Sequence, residues 1–148
     1  MTDYQMLHGM LQSLTVGVPH KIANLANASA LLWEYLQDIN WAGFYLLEGD
    51  KLVLGPFQGK TACIEIPVGK GVCGTAVKEN KTQLVPDVHQ FPGHIACDCA
   101  SNSEIVIPLK KEGKIIGVLD IDSPSYDRFS LEDATGLEEF CRILEKKL

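Results

Sequence analysis

The sequence has no apolar run that approaches the roughly 20 residues a membrane-spanning helix needs. Its first ten residues contain neither the basic stretch nor the apolar stretch of a secretory signal, so we expect a cytoplasmic protein. Positive charge is also scarce, because 13 lysines and arginines stand against 19 aspartates and glutamates, a net charge of −6. This balance argues against binding to nucleic acids or anionic membranes, since both require a basic surface.

The cysteines lack the pattern of a structural framework. They number five, an odd count, and structural disulfides are rare in the cytosol. Cys97 and Cys99 are separated by one residue rather than two, which matches no common zinc site even with His89 and His94 nearby, so no metal is expected. Two roles remain for the cysteines, redox chemistry and packing as buried thiols. We expect Cys141 to be a buried thiol, because it lies on the apolar stripe of the last predicted helix.

The sequence does contain enough apolar residues for one core. With 148 residues, 46% of them hydrophobic, we expect a single domain over 1–148. Apolar spacing predicts helices near 7–14 and 21–36, a short helix after the glycine-rich loop at 69–74, and a C-terminal helix opened by Ser130. Six short strands lie between them, largely as consecutive hairpins. This order predicts an α+β fold with an antiparallel sheet covered by helices.

The last predicted hairpin carries acidic residues where a strand would normally be apolar. Alternation puts Asp120 and Asp122 on one face of the second strand. A three-residue loop at Lys111–Gly113 would set Glu104 opposite Asp120 on that face. A two-residue turn at Glu112–Gly113 would turn Glu104 to the other face and separate the acids.

Acids that share one face have two interpretations. If the acids line a cavity, at least one carboxyl group would have a raised pKa and would donate a proton to a substrate oxygen. Its ionised neighbours would then hold a cation. At a strand end they can also simply face water. Cys97 favours the first interpretation, because it lies in a loop just ahead of Glu104, where a redox nucleophile is expected. Cys73 is either a reactive thiol at a helix N-terminus or a core residue.

Four segments together resemble the GAF-domain free methionine-(R)-sulfoxide reductases. The resemblance extends from Trp33 to the last helix, and the three-cysteine pattern with its following acids is not found in ordinary GAF domains. The segments are "NWAGFYLL" (40–47), "GPFQGKTACIEIPVGKGVCGTAV" (55–77), "HIACDCASNSEIVIPL" (94–109) and "GVLDIDSPSYDRFS" (117–130).

The resemblance implies a fold and a thiol reaction. The fold is a GAF-type sheet of about six antiparallel strands with helices packed on one face. The reaction is the reduction of free L-methionine-(R)-sulfoxide to L-methionine, an oxidoreductase activity used against oxidative stress. The family pattern places the nucleophile at Cys97 and the resolving thiol at Cys63, with Cys73 as the alternative or a relay. Cys99 adds a fourth thiol, so which disulfide forms first stays open.

The resemblance also implies how substrate and reductant are bound. The substrate-binding acids correspond to Glu104, Asp120 and Asp122, with Glu104 or Asp122 as the proton donor, and Trp41 and Tyr45 correspond to an aromatic wall. The protein would hold no cofactor of its own and would be recycled by an external thioredoxin/NADPH system, as a possible homodimer. Two rival functions use the same fold, a non-catalytic small-ligand sensor and a thiol redox switch.

Overall fold

The structure is a computed structural model that describes residues 1–94 and 100–148. Cys97 and Cys99 therefore lie outside the described residues. The helices are α1 Tyr4–Thr15, α2 Lys21–Tyr35, α3 Gly71–Glu79 and α4 Leu131–Glu145, with a short 3-10 helix at Val88–Gln90. The strands are β1 Trp41–Glu48, β2 Lys51–Gly59, β3 Glu65–Pro67, β4 Gln83–Val85, β5 Ser103–Lys111 and β6 Lys114–Ser123. Over the described ranges, no helix is both long and apolar enough to cross a membrane.

The strands form one antiparallel sheet in the order β3-β2-β1-β6-β5-β4. This arrangement confirms the α+β prediction and the six strands. It places β1 beside β6 and β6 beside β5 at the centre of the sheet. Side chains that point to the same side of these three strands are therefore close neighbours, although they are far apart in the sequence.

The two faces of the sheet are covered differently. Helices α1, α2 and α4 pack on one face, against buried apolar side chains such as Phe44, Ile107 and Leu119. Helix α3 packs on the other face through residues such as Val72, because the alternate side chains of the same strands, including Val118, are also apolar. The resemblance implied helices on one face. Three of them lie there, and the short α3 leaves part of the second face open for a pocket.

The turn between β5 and β6 differs from the three-residue loop that would pair Glu104 with Asp120. Lys111 pairs with Lys114, so Glu112 and Gly113 alone form the turn. Both have left-handed backbone conformations, with φ of 54° and 79°, as a two-residue turn that follows the strand twist requires. Of the two alternatives, the two-residue turn is therefore the one that forms.

A β-bulge restores the acidic face that the two-residue turn alone would have broken. The register shifts by one residue next to Leu109 and Lys110. Glu104 consequently pairs with Asp122, while Asp120 lies two pairs along and therefore on the same side of the sheet. A bulge that adds one residue to one strand changes which side chains share a face, so the turn and the bulge compensate.

Candidate active site

A pocket opens on the second face of the sheet beside the start of α3. The described residues that line it are Trp41, Tyr45, Thr61, Ala62, Ile66, Gly71, Val72, Cys73, His94, Ser101, Glu104, Asp120 and Asp122. It therefore brings together six of the eight side chains singled out from the sequence. Cys97 lies outside the described residues, and Cys63 directly follows Ala62.

Three carboxyl groups line one wall of the pocket. Glu104 is the second residue of β5, and Asp120 and Asp122 lie near the end of β6. Glu104 and Asp120 are buried, with 7% and 6% of their surface exposed. The described lining residues include no lysine or arginine. Because a buried charge without a partner is costly, this wall is able to take up a proton or a cationic ligand.

Glu104 takes up the proton. Burial raises its pKa well above the usual value, and the charges of Asp120 and Asp122 raise it further. Burial also raises the pKa of Asp120, although Glu104, Cys73 and Asp122 lie within hydrogen-bonding reach and oppose part of this rise. The pKa of Glu104 is thus the more strongly raised of the two, so Glu104 is the first of the pair to hold a proton, as expected of paired carboxyl groups in a closed site.

One oxygen of Asp120 is left for a ligand. Among the described residues, the buried Oδ1 atom has no hydrogen-bond partner. His94 lines the same pocket, but burial and the charge of His89 lower its pKa, so it is a weak source of positive charge. A buried acceptor without a donor is unfavourable. The pocket therefore fits a ligand that carries its own donor, such as an ammonium group.

Cys73 lies against these acids as a protonated thiol. Its Sγ atom and carboxylate oxygens of Glu104 and Asp120 all lie within 4.8 Å of one another. Burial raises the thiol pKa well above the usual value, and the charges of Asp120 and Glu104 add to this effect. The position in the first turn of α3, which favours a thiolate, does not outweigh them. These three groups are able to hold a divalent metal, but thiol and carboxyl would first have to lose their protons.

Two aromatic rings also line the pocket. Trp41 and Tyr45, both on β1, stack with ring centroids 5.8 Å apart, and Phe57 also stacks on Trp41 at 5.1 Å. The indole Nε1–H of Trp41 donates to the carbonyl of Lys60 at 3.0 Å. The hydroxyl of Tyr45 donates to the carbonyl of Cys63 at 2.9 Å. The rings therefore face the pocket while their polar groups hold the chain beside it.

Several features of this site were not identified from the sequence. Cys63 was named as a thiol of the site, but not its location in the connection from β2, which extends until β3 begins at Glu65. No local sequence pattern indicates that Phe57 lies beside the site. Its position follows only from the β1–β2 register, which pairs it with Gly43. His94 and Ser101, on either side of residues 95–99, line the pocket. Their place in the pocket lining follows from how the chain folds and cannot be predicted from residue spacing.

The antiparallel sheet with a polar pocket beside the short α3 is an arrangement of the GAF type. A family model described as "GAF domain" matches residues 24–145. Free methionine-R-sulfoxide reductase of Escherichia coli (strain K12) is 61% identical over 145 residues, which are 98% of this chain and 88% of that protein. The chain therefore belongs to the GAF-domain free methionine-R-sulfoxide reductase family.

Two solved structures support the same placement. The fRMsr of Staphylococcus aureus, in complex with substrate, superposes with a TM-score of 0.96 at 57% identity, over 100% of this chain and 97% of that one. Free methionine-R-sulfoxide reductase from Neisseria meningitidis, also in complex with its substrate, gives a TM-score of 0.94 at 45% identity, over 97% and 87%. The likeness thus covers nearly the whole of each chain.

Proposed function

We propose that this protein reduces free L-methionine-(R)-sulfoxide to L-methionine. Proteins similar to it include enzymes named for this reaction, and the structures of two of them were solved with substrate. The observation that carries the proposal is the buried carboxyl cluster, in which Glu104 has a raised pKa and Asp120 Oδ1 lacks a described partner. One pocket thus supplies a proton for an oxygen and an acceptor for an ammonium group.

Each part of the substrate has a matching group in the pocket. Asp120, with Asp122, would accept from the ammonium group, and Glu104 would donate to the sulfoxide oxygen. Trp41 and Tyr45 would pack against the S-methyl group, where aromatic–sulfur contact contributes about 0.3–1.5 kcal/mol. A peptide-bound methionine sulfoxide lacks the ammonium group, so it would leave buried carboxylates unpaired at about 1–3 kcal/mol each. The free amino acid is therefore the preferred substrate.

The reduction proceeds by attack of a thiolate on sulfur. The Cys97 thiolate bonds to the sulfoxide sulfur while Glu104 passes its proton to the sulfoxide oxygen. The oxygen then transfers as a hydroxyl group from the substrate sulfur to the Cys97 sulfur, so the substrate S–O bond and the transient S–S bond both break. Cys97 is left as a sulfenic acid, and methionine leaves as the reduced thioether. A buried donor with a raised pKa serves this step, because charge accumulates on that oxygen in the transition state.

A second thiol then removes the oxygen. We assign this resolving step to Cys63 rather than to Cys73, because the raised pKa of Cys73 keeps its thiol protonated. Thioredoxin, reduced by NADPH, would exchange with the resulting disulfide, so the protein itself needs no cofactor. This cycle fits a cytoplasmic enzyme.

A homodimer stays a prediction. The exposed apolar side chains of Ile22 and Trp33 on α2 support it.

A coupled assay tests the activity. NADPH oxidation through thioredoxin is followed with the free R epimer, the free S epimer and an N-acetylated R epimer. We expect turnover with the first alone, loss of turnover in Cys97→Ser, and near-normal turnover in Cys141→Ser, where the thiol lies in the opposite core. Tight binding of the sulfoxide without NADPH oxidation would favour a ligand sensor. Oxidation to a disulfide by peroxide, without methionine formation, would favour a redox switch.

The choice of resolving thiol has its own test. Cys63→Ser should still release one methionine per chain but should form no disulfide and should not turn over with thioredoxin. Cys73→Ser should keep both steps, with a change mainly in KM, since it loses only a protonated group beside Asp120. Mass spectrometry of the oxidised proteins checks both variants. Disulfide formation that is lost in Cys73→Ser and kept in Cys63→Ser would reverse the assignment.

A further inference from the structure

Two side chains of the pocket donate hydrogen bonds to the chain between β2 and β3. Residues 60–64 connect these strands, and three of their carbonyl groups accept hydrogen bonds. Leu54 N–H donates to Ile64 at 2.9 Å. The other two bonds come from side chains that line the pocket, from Trp41 to Lys60 and from Tyr45 to Cys63. The aromatic wall therefore contributes two of these three hydrogen bonds, and one of the two is to the backbone of Cys63 itself.

The aromatic rings are rigid enough for this task. Trp41 and Tyr45 are buried, with 3% and 2% of their surface exposed. Phe57, Trp41 and Tyr45 form a continuous stack with interplanar angles of 14° and 23°. Gly59 brings the chain close to this stack, since a Cβ atom there would lie 2.7 Å from Trp41 Cδ1, and its φ of 129° suits glycine alone. The hydrogen-bond donors of Trp41 and Tyr45 are thus held in place by packing that does not involve residues 60–64.

We propose that Trp41 and Tyr45 are positioning residues for Cys63, and that their hydrogen bonds to residues 60–63 set the approach of the Cys63 thiol to the oxidised Cys97. The inference rests on the proposed reductase function and deepens it. In the step concerned, the Cys63 sulfur bonds to the Cys97 sulfur and the S–O bond of the sulfenic acid breaks. The oxygen leaves as water after taking the Cys63 proton, so atoms and electrons balance.

The indole N–H of Trp41 and the hydroxyl of Tyr45 would not be needed if the two rings only packed against the substrate. Contact with an S-methyl group requires only ring surface, which phenylalanine would supply at position 45. Tyr45 instead carries a hydroxyl whose pKa is raised by burial, so it remains a donor, and that donor bonds to the residue proposed as the resolving cysteine. Binding of the substrate and resolution of the sulfenic acid therefore share the same two side chains.

Tyr45→Phe separates the two roles, because it removes the hydroxyl and keeps the ring. Wild type, Tyr45→Phe and the exposed control Tyr126→Phe are mixed with excess free sulfoxide without thioredoxin. Methionine release is timed, and the Cys97 sulfenic acid is trapped with dimedone. Because both rates are measured on the same variant, we expect Tyr45→Phe to slow disulfide formation more than it slows methionine release. Its disulfide should form about threefold to tenfold more slowly, as expected for one lost hydrogen bond, with accumulation of the dimedone adduct.

Two further variants show whether the effect passes through Cys63. Phe57→Leu keeps both hydrogen-bond donors but loosens the stack, and should slow disulfide formation in the same way. In a Cys63→Ser background, Tyr45→Phe should change the lifetime of the sulfenic acid no further, a double-mutant test of coupling. Thermal unfolding of each variant checks that the fold is kept.

Three outcomes would overturn the proposal. Slower methionine release with unchanged disulfide formation would make Tyr45 a wall residue only. An equal effect of Tyr45→Phe with and without Cys63 would remove the coupling. A wild-type protein that releases no methionine would overturn the proposed function as well, and this is seen at the first measurement, before any variant is compared.

Discussion

At the scale of single residues, burial decides what each acid and thiol can do. Glu104 in water would be ionised at neutral pH, yet its pKa is raised well above the usual value because it is buried beside two other carboxyl groups. Cys73 is kept protonated by the same surroundings. Side chains that the sequence marked only as acids or thiols thus have distinct states, and Glu104 is the one suited to donate a proton.

Glu104→Gln tests this assignment through the pH dependence of activity. Wild-type kcat/KM should rise with ionisation of the nucleophilic thiol and fall again as pH rises through the raised pKa of Glu104, which removes the proton to be donated. In Glu104→Gln, kcat should fall by about 10²- to 10⁴-fold and the descending limb should disappear. The exposed Glu34→Gln serves as the control. A descending limb that persists in Glu104→Gln would assign the donor to another group.

At the scale of elements, the β5–β6 hairpin shows how far sequence reasoning reached. Strand alternation placed Asp120 and Asp122 on one face, and they are there. Both expected registers of Glu104 were wrong, because the two-residue turn is combined with a bulge next to Leu109 that pairs Glu104 with Asp122. Bulges depend on strand twist and packing rather than on a local residue pattern. The acidic cluster was thus predictable, but its register was not.

The turn conformation makes a prediction about stability. Glu112 and Gly113 both have positive φ, so Glu112→Asn should stabilise the fold by about 0.5 kcal/mol, because asparagine adopts this conformation more easily. Gly113→Ala should destabilise it by about 1 kcal/mol or more. Urea unfolding of the two variants gives these differences. If only Gly113 were left-handed, as a three-residue loop requires, Glu112→Asn would bring no gain.

The connection between β2 and β3 marks the limit of sequence reasoning for the site. Trp41 and Tyr45 were predictable as neighbours on one face of β1. Their bonds to the carbonyl groups of Lys60 and Cys63 were not, since any residue offers a carbonyl and no pattern identifies which one is used. Side-chain type and period predict faces, whereas contacts to an irregular backbone follow only from the folded chain.

At the scale of the whole molecule, stability and chemistry are divided between the faces of the sheet. Helices α1, α2 and α4 bury a large apolar core on one face. The pocket occupies the other face, where a smaller apolar cluster around α3 surrounds the acids. Burial of Glu104, Asp120 and Cys73 without a cation among the described lining residues opposes folding. The large core offsets this cost, which is consistent with sites that sacrifice stability for function.

This cost should appear as a dependence of stability on pH. Because the pKa of Glu104 is higher in the folded protein than the 4.5 of the free side chain, the folded state binds more protons between these two values. The free energy of unfolding therefore falls as pH rises through this window, by about 1.4 kcal/mol for each unit of pKa difference, and is unaffected below it. Asp120 acts in the same direction.

Glu104→Gln should remove the Glu104 share of that loss. Urea unfolding at several pH values should show wild type and variant closest near pH 4 and diverging as pH rises, with the variant more stable at pH 8. Glu34→Gln, an exposed change of the same kind, should run parallel to wild type. Parallel curves for Glu104→Gln would mean that Glu104 is ionised in the folded protein without penalty. The carboxyl cluster would then be open to water, and the proton donor proposed for the sulfoxide oxygen would be lost with it.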